Sequence, residues 1–336
     1  MVIVGAGPAG LKCAETLGDS KFKVLLIEKN QEIGPKVCAG GLTEKGVKYL
    51  NLPKRLIDFN CKKIKIHINN SCLTIKHKDN LIYTIDRRRL GQWQLKKLKK
   101  FKNIEIRTNS LVSEIKRKYV VVDNQKIYYK FLVGADGSAS IVKRFFGIKS
   151  KHIGITFQYV IPTKKYRELE IFLDSKLFSQ WYAWIFPHEN YVSIGCVGDP
   201  NKVNPKQLSD NFEKWMDKHK IDVSKARYES FILDGDYQGY KFGNKFLIGD
   251  AGGFVSELTG EGIYPALVTG EEVSKIIMNP DYKSKKIDDL LKIKNIYSRM
   301  TDFLVNCGRY RTIIFYMGVG LLRIPFIRKK AIKLFA

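Results

Sequence analysis

The chain has 336 residues, of which 44% are hydrophobic and 27% charged. These values are typical of a globular protein long enough for two domains. Lys and Arg number 59 against 33 Asp and Glu, a formal net charge of +26. Such a charge attracts a polyanion or an anionic membrane, although a lysine-rich solubilising surface explains it equally well. The basic residues are spread along the whole chain without a nucleic-acid-binding motif, and neither Cys nor His shows metal-ligand spacing, so we expect no nucleic-acid partner and no metal.

The apolar pattern predicts a β-α-β unit at the start of the chain. A buried strand over residues 2–4 ends at Gly5, a helix covers 8–17, and a second buried strand covers 23–27. An irregular, glycine-rich segment is expected over 31–50. The elements predicted after it are a hairpin, a helix, a strand, an antiparallel meander and a further buried strand (63–78, 87–100, 104–107, 112–129 and 131–133).

From residue 152 to about 233 the pattern changes to long, aromatic-rich β segments with one helix near 205–219. This predicts an antiparallel sheet. A buried strand over 245–248 and a long helix over 250–277 then return to the first pattern. We therefore predict an α/β (α+β) fold with a discontinuous first domain (1–150 and 240–280), an inserted domain (151–239) and a C-terminal basic helical region (281–336).

A glycine-rich turn joins the first strand to the first helix and reads Gly5-Ala6-Gly7-Pro8-Ala9-Gly10. Glycine permits a tight turn, close approach of a pyrophosphate and close strand–helix packing, and the helix start offers N–H groups to phosphates. Glu28 and Lys29 follow the second strand, where a carboxylate would accept hydrogen bonds from ribose hydroxyls. The unit predicts a dinucleotide site.

Two further glycine-rich regions follow later strands. They read Gly134-Ala135-Asp136-Gly137-Ser138, and Gly249-Asp250-Ala251-Gly252-Gly253 with Thr259-Gly260-Glu261-Gly262-Ile263. Asp250 suits the ribityl chain of a flavin, and amides at a helix start near Gly260, Gly262 and Ile263 could stabilise negative charge on the reduced ring. Jointly the three regions resemble the glutathione-reductase-type FAD fold of the hydroxylase branch. The resemblance implies a Rossmann-like FAD-binding first domain, with Asp136 and Gly137 also at the cofactor.

Three other segments resemble the geranylgeranyl reductase family. They are Pro35-Lys36-Val37-Cys38-Ala39-Gly40-Gly41, Asp86-Arg87 before a helix, and Trp181-Tyr182-Ala183-Trp184-Ile185-Phe186-Pro187. The resemblance implies tightly bound FAD, with Cys38, Ala39, Gly40 and Arg87 near it. It also implies that reduced flavin saturates double bonds of prenyl chains, which belong to membrane glycerophospholipids in archaea and to chlorophyll and tocopherol precursors in plants.

Reduction of an isolated alkene needs a hydride, a proton donor and dry apolar walls. Tyr182, Trp184 and Phe186 alternate on a predicted strand and so share one face, which could form such a wall or an ordinary aromatic core. Cys38 and Tyr182 are the candidate proton donors, although a lone Cys is more often a small buried apolar residue. His188, directly after the aromatic motif, is the histidine that merits a test.

Residues 312–322 form an apolar run between Arg311 and Arg323. The run is shorter than the roughly 20 residues needed to span a bilayer. It suits a helix in the membrane interface, or one packed on the second domain with basic ends exposed. We expect a cytoplasmic protein, located at the inner face of the membrane if this tail binds lipid.

Three functions remain open from the sequence. The first is FAD-dependent reduction of prenyl-lipid double bonds, with nicotinamide, ferredoxin or a deazaflavin as the external reductant. The second is a flavin-dependent monooxygenase of an aromatic or quinone substrate, because the hydroxylase branch shares the FAD segments. The third is a non-catalytic flavin-binding redox partner.

Overall fold

The computed structural model describes residues 1–335. The α-helices in this range are α1 (Pro8–Thr16), α2 (Glu44–Leu50), α3 (Arg87–Leu98), α4 (Ile141–Phe145), α5 (Pro205–Lys218), α6 (Ile263–Met278), α7 (Lys285–Asn306), α8 (Arg311–Leu321) and α9 (Pro325–Phe335). The strands are β1 (Val2–Val4), β2 (Val24–Ile27), β3 (Gly41–Thr43), β4 (Ile57–Cys61), β5 (Lys63–Ile68), β6 (Ser71–Lys76), β7 (Ile82–Ile85), β8 (Ile104–Arg107), β9 (Val112–Ile115), β10 (Tyr119–Val122), β11 (Gln125–Tyr128), β12 (Leu132–Gly134), β13 (Ile153–Ile161), β14 (Leu169–Leu173), β15 (Ala183–Pro187), β16 (Val192–Gly198), β17 (Arg227–Asp234), β18 (Lys241–Phe242) and β19 (Lys245–Leu247).

The chain divides into two units, each made of three segments. The first consists of Met1–Lys36, Arg87–His152 and Leu233–Lys294, and the second of Val37–Asp86, Ile153–Ile232 and Asn295–Ala336. This division differs from the predicted domains, which placed residues 37–86 in the first domain and the tail in a region of its own. The physical reason for the first difference is that β5 pairs with β14, so the predicted hairpin extends the sheet of the second unit.

The first unit contains a six-stranded sheet in the order β18-β19-β12-β1-β2-β8, parallel except for the pairing of β18 with β19. Its central strands are buried along their whole length, as expected of parallel strands covered on both faces. Helices α1 and α6 pack closely on one another. Gly270 permits this contact because it has no side chain, and a Cβ there would collide with the carbonyl oxygen of Ala9. The predicted meander forms a separate sheet of β9, β10 and β11.

The second unit contains a seven-stranded sheet in the order β17-β13-β16-β15-β14-β5-β6 and a small sheet in the order β3-β7-β4. Its core lies between one face of the larger sheet and α5, whose Leu208, Phe212 and Trp215 pack against Ala183 and Ile185 of β15. The predicted mixed fold is confirmed. The larger sheet of the second unit is not purely antiparallel, however, because β5 runs parallel to β14, and β5 and β6 come from outside the predicted insertion.

Two local predictions were wrong. Residues 31–50 are not irregular throughout, because the Thr43 side chain accepts a hydrogen bond from the Gly46 amide and begins α2. The helix predicted over 250–277 begins only at Ile263. Gly253 and Gly260 have φ of +69° and +68°, which interrupts the helix between a short 3-10 turn (Gly249–Gly252) and α6.

The predicted C-terminal helical region is confirmed as α7, α8 and α9. Among residues 1–335 no single helix is long and apolar enough to cross a membrane. The bent pair Gly308–Leu321 and Pro325–Leu334, with an angle of 104° between its helices, meets the length and composition criteria only when taken together.

Candidate active site: a dinucleotide cradle and an aromatic sheet face

The turn between β1 and α1 in the first unit is closely packed. Gly5 has φ of +98°, and a Cβ there would collide with the carbonyl oxygen of Ala135. A Cβ at Gly10 would collide with the carbonyl oxygen of Gly5. Pro8 is the first residue of α1, where its missing N–H costs nothing, and Ala9 is buried beneath the turn. The absence of side chains at Gly5 and Gly10 therefore permits the backbone of the turn to pack directly against neighbouring backbone atoms.

Glu28 holds the same turn from the end of β2. Its Oε2 accepts a hydrogen bond from the Ala6 amide at 2.8 Å, and its Oε1 accepts one from the Asn30 amide at 3.0 Å. Lys29, between them, is exposed. The predicted ribose-binding carboxylate thus lies directly beside the glycine-rich turn, although its contact with a ribose stays a prediction.

Two features of the first unit fit a bound dinucleotide: open space at the glycine-rich turn and unpaired polar atoms on α3. A Cβ at Gly7 would meet no atom within 4 Å, so this glycine faces open space at the start of α1. On α3 the Nε of Arg87 and both amide atoms of Gln94 are buried and have no hydrogen-bond partner among residues 1–335. These two side chains are seven residues apart and so lie on one face of the helix. Buried polar atoms of native proteins are almost always paired, so their state points to a polar ligand.

The Asp136 carboxylate caps α4. It accepts hydrogen bonds from the Ser140 hydroxyl at 2.6 Å and from the Ile141 amide at 2.7 Å. Burial raises the pKa of this carboxyl, and the hydrogen bonds partly oppose the rise. Gly137 beside it has φ of +78° and faces open space. The segment orients a helix start, and its predicted contact with the cofactor is untested.

Asp250 forms an ion pair with Lys36, whose Nζ lies 2.7 Å from Oδ2. A Cβ at Gly262 would lie 3.3 Å from the Asp250 Oδ1, so this carboxylate is next to the start of α6. The Gly249 amide donates to the Thr269 hydroxyl at 3.0 Å, which fixes the 3-10 turn to α6. Gly262 is the N-cap of α6, which begins at Ile263 without a side-chain cap. The positive end of the helix dipole is therefore available to an anion, and the cofactor contacts predicted for Gly260 and its neighbours stay predictions.

In the second unit, β15 presents its aromatic residues on one face. Ala183 and Ile185 point into the core against α5, so Trp184 and Phe186 point to the opposite face. Tyr182 directly precedes the strand, and its ring lies edge-on to Trp184 with centroids 6.2 Å apart. The predicted shared face is therefore confirmed for Trp184 and Phe186. Trp184 is itself buried, so whether this face is a substrate wall or an ordinary aromatic core stays a prediction.

An apolar row continues from Trp184 across three neighbouring strands. Trp184 pairs with Ile171, Ile171 with Ile66, and Ile66 with Leu73, so the four side chains share one face. The last three are only half-buried. With strands about 4.8 Å apart, the row is roughly 14 Å long. It forms a continuous apolar surface beside the aromatic motif.

Residues 38–41 pack against the end of β15. A Cβ at Gly41 would lie 2.7 Å from the Phe186 ring, and one at Gly40 would lie 2.6 Å from the His188 ring. The Sγ of Cys38 accepts a hydrogen bond from the Gly40 amide at 3.3 Å. Cys38, Ala39 and Gly40 are thereby held near the aromatic residues, while their predicted contact with a cofactor stays a prediction.

His188 is buried and anchors this segment. Its Nδ1 lies 2.8 Å from the Asp58 Oδ2, and its Nε2 lies 3.0 Å from the carbonyl oxygen of Ala39. A carboxylate and a carbonyl both accept hydrogen bonds, so both ring nitrogens of His188 face an acceptor. The ring of Tyr191 stacks on His188 with centroids 4.1 Å apart.

Two tyrosines of the second unit keep their protons over a wide pH range. Burial raises the pKa of Tyr182. Burial, followed by the charges of Asp86 and Asp58, raises the pKa of Tyr191, whose hydroxyl donates to Asp86 at 3.5 Å. Tyr182 therefore remains a protonated candidate donor at neutral pH.

Sequence reasoning missed Asp58, Tyr191 and Gln94. Asp58 lies 130 residues from His188 in the chain, and no local motif links them. Gln94 would have been found by continuing the helical face of Arg87 by two turns. Among residues 1–335 no group of three or more His, Cys, Asp or Glu side chains could hold a metal ion.

This chain is similar to several known proteins. Residues 1–153 match the pyridine nucleotide-disulphide oxidoreductase family model. A digeranylgeranylglycerophospholipid reductase of Methanocaldococcus jannaschii is 25% identical over 345 residues, covering 94% of this chain and 86% of the relative. Digeranylgeranylglycerophospholipid reductase 1 of Methanosphaera stadtmanae is 24% identical over 316 residues, covering 86% and 78%.

Among solved structures, the crystal structure of a geranylgeranyl bacteriochlorophyll reductase-like protein from Thermoplasma acidophilum has a TM-score of 0.76 and 19% identity. It covers 99% of this chain and 98% of its own. These similarities confirm both the predicted flavoprotein fold and the resemblance to the geranylgeranyl reductases, and they identify the chain as a flavin-dependent oxidoreductase.

Proposed function

We propose that this protein binds FAD and reduces carbon–carbon double bonds of geranylgeranyl or related prenyl chains carried by lipids. The observation that supports the substrate class best is the apolar row from Trp184 to Leu73 beside the aromatic motif. A prenyl chain has no polar group along its length, so it needs an extended apolar surface more than hydrogen bonds. The names of the two archaeal relatives agree with this class.

The proposed FAD would be held by the first unit. Its pyrophosphate would lie at Gly7 and the start of α1, and its ribose at Glu28. Arg87 and Gln94 would pair their buried polar atoms with it. When bound and reduced, the flavin would supply a hydride to the alkene.

Residues of the second unit would align the alkene, exclude water and supply the proton that completes the saturation. Tyr182, Trp184 and Phe186 would provide the dry wall. The proton would come from the Tyr182 hydroxyl or from the Cys38 thiol, and the loss of a general acid typically slows a reaction by about 10²–10⁴-fold.

The test is anaerobic turnover of a geranylgeranyl lipid by the FAD-loaded protein with a strong chemical reductant, followed by mass spectrometry. We expect a mass gain of two hydrogens for each bond reduced. Tyr182→Phe and Cys38→Ala identify the proton donor, with the exposed Tyr128→Phe and Cys72→Ala as controls. If FAD binds but no prenyl compound is reduced, the proposed reaction is wrong.

The alternatives remain distinguishable in the same preparation. Aerobic NADPH consumption stimulated by an aromatic or quinone compound would favour a monooxygenase. Bound FAD without turnover of either substrate class would favour a non-catalytic redox partner. The external reductant is identified by supplying nicotinamide, reduced ferredoxin or a reduced deazaflavin separately.

A further inference from the structure

Helix α8 is fixed to the second unit by one of its faces. Arg311 is buried, and its guanidinium donates to the carbonyl oxygens of Leu304 at 2.7 Å and Val305 at 3.0 Å. Phe315, one turn later, is also buried. The Tyr316 hydroxyl donates to the carbonyl oxygen of Ile68 at 3.1 Å, at the end of β5. The orientation of the helix about its axis is therefore determined.

The other side of α8 exposes large apolar side chains. Ile313, Met317 and Leu321 follow one another at spacings of four residues, Ile324 lies just after the end of the helix, and all four are 48–61% exposed. We call them the α8 stripe. Phe326, in the first turn of α9, is 64% exposed. Soluble surfaces rarely expose contiguous apolar patches of this kind unless a partner covers them.

All the charged residues around the α8 stripe are basic. After Asp302 the sequence has no acidic residue, and its basic residues outside the buried Arg311 are Arg309, Arg323, Arg328, Lys329, Lys330 and Lys333. Lys330 lies 4.6 Å from the ring centroid of Phe326, so charge and apolar surface are directly adjacent. Apolar residues flanked by cations match the boundary between anionic headgroups and acyl chains.

We propose that the α8 stripe and Phe326 insert into the interface of an anionic membrane, with the basic residues of α9 at the lipid headgroups. Helix α8 meets the second unit where β5 ends, at Ile68, and where the chain leaves β14, at Ser175, whose hydroxyl bonds to Thr312. The same two strands carry Ile66 and Ile171 of the apolar row. A prenyl chain leaving the bilayer at α8 would therefore reach the row directly. This delivery role, unlike membrane binding itself, rests on the proposed function.

The experiment is co-sedimentation of the full chain with vesicles of phosphatidylglycerol mixed with phosphatidylcholine, and with vesicles of phosphatidylcholine alone. We expect binding to the anionic vesicles that weakens as salt is added. The stripe variant Ile313→Ser/Met317→Ser/Leu321→Ser should bind at least roughly a hundredfold more weakly, because each buried aliphatic side chain contributes about tenfold or more. Its control, Leu111→Ser/Tyr128→Ser/Ile232→Ser, removes exposed apolar residues elsewhere and should bind unchanged.

The charge variant Arg323→Gln/Lys329→Gln/Lys330→Gln should lose roughly a hundredfold in affinity, since each cation near an anionic surface is worth about fivefold. The control Lys118→Gln/Lys126→Gln/Lys202→Gln removes the same charge from other exposed positions and should retain binding. Near-ultraviolet circular dichroism of every variant verifies that it is folded.

Equal vesicle binding by the stripe variant and the unmodified chain would overturn the proposal. So would a dimer, detected by sedimentation velocity without vesicles, that the stripe variant dissociates, because the stripe would then bind a second copy. Binding requires neither substrate nor reductant, so it is measured independently of turnover. If the protein binds vesicles but reduces no detergent-solubilised prenyl lipid, the proposed function fails while the membrane surface stands.

Discussion

His188 links strand β4 to the segment that carries Cys38, through Asp58 on one side of its ring and the Ala39 carbonyl on the other. The side chains of His188 and Asp58 are both almost completely buried. Removing one member of such a pair leaves the other charged group in an apolar environment, which typically costs about 3–5 kcal/mol.

We therefore expect His188→Leu to lower the free energy of unfolding by roughly 3–5 kcal/mol, measured by urea denaturation. His77→Leu is the control, because His77 is partly exposed and its ring nitrogen lies 3.9 Å from Asp79, a pair worth less than about 1 kcal/mol. An equal, small effect of both substitutions would show that the His188 pair does not organise this segment.

Gly7→Ala should separate cofactor binding from folding. The new methyl group would point into open space, and φ of −72° at Gly7 is ordinary for alanine. The free energy of unfolding of the flavin-free protein should change by less than about 0.5 kcal/mol. The FAD dissociation constant should rise at least roughly tenfold, because the methyl group would occupy the space through which a pyrophosphate approaches the helix start.

Titration of the flavin-free protein with FAD, followed by flavin fluorescence, measures that effect. The contrasting substitution is Gly10→Ala, whose methyl group would collide with the Gly5 carbonyl and should destabilise the fold itself. Unchanged FAD affinity of Gly7→Ala would place the dinucleotide elsewhere.

Gly195→Ala should displace the Trp184 ring. A Cβ at Gly195 would collide with the indole and would lie 2.6 Å from the carbonyl oxygen of Phe157. We expect a loss of about 1–3 kcal/mol in the free energy of unfolding and a changed near-ultraviolet circular dichroism spectrum. Gly318→Ala, where no atom lies within 4 Å of the new methyl group, should leave the spectrum unchanged. It should raise the free energy of unfolding by up to about 1 kcal/mol, because alanine favours a helix over glycine. A native spectrum for Gly195→Ala would contradict this account of the aromatic face.

Glu272 on α6 should make stability sensitive to acid. Burial alone would raise its pKa, but hydrogen bonds from Lys275, Ser284 and Tyr282 outweigh burial and lower the pKa below its ordinary value of 4.5. A carboxyl with a lowered folded-state pKa contributes stability above the unfolded value, and the contribution is lost as pH falls through the folded value.

Glu272→Gln should therefore destabilise the protein by roughly 2–4 kcal/mol at pH 7, and the difference from the unmodified chain should shrink below pH 4.5. Urea denaturation at several pH values measures it. Glu105→Gln, at an exposed position, is the control. A difference that stays constant into acid would mean that the unfolded and folded pKa values of Glu272 are equal.

The elements and the glycine-rich turns could be predicted from the sequence because their signals are local. Val2–Val4 and Val24–Ile27 are uniformly apolar, and a glycine-rich turn between a strand and a helix has few alternative readings. The start of α6 could not be located, because glycine and apolar composition alone do not tell a helix from the interrupted turn before Ile263.

The partners within the second unit depend on long-range pairing. Nothing near His188 in the chain indicates that Asp58 reaches its ring, and nothing near Ile66 indicates that its strand pairs with Ile171. Such pairings follow from the arrangement of whole strands, and a single sequence does not encode them in any short segment.

The parallel sheet of the first unit has a consequence for synthesis. β1 lies between β2 and β12, β12 pairs with β19, and Gly270 of α6 packs on the carbonyl of Ala9. The glycine-rich turn at the beginning of the chain therefore reaches its final packing only after about 270 residues have emerged from the ribosome. At roughly 5–20 residues per second, this takes about 15–50 s, so the turn is completed by the synthesis of α6 rather than by its own synthesis.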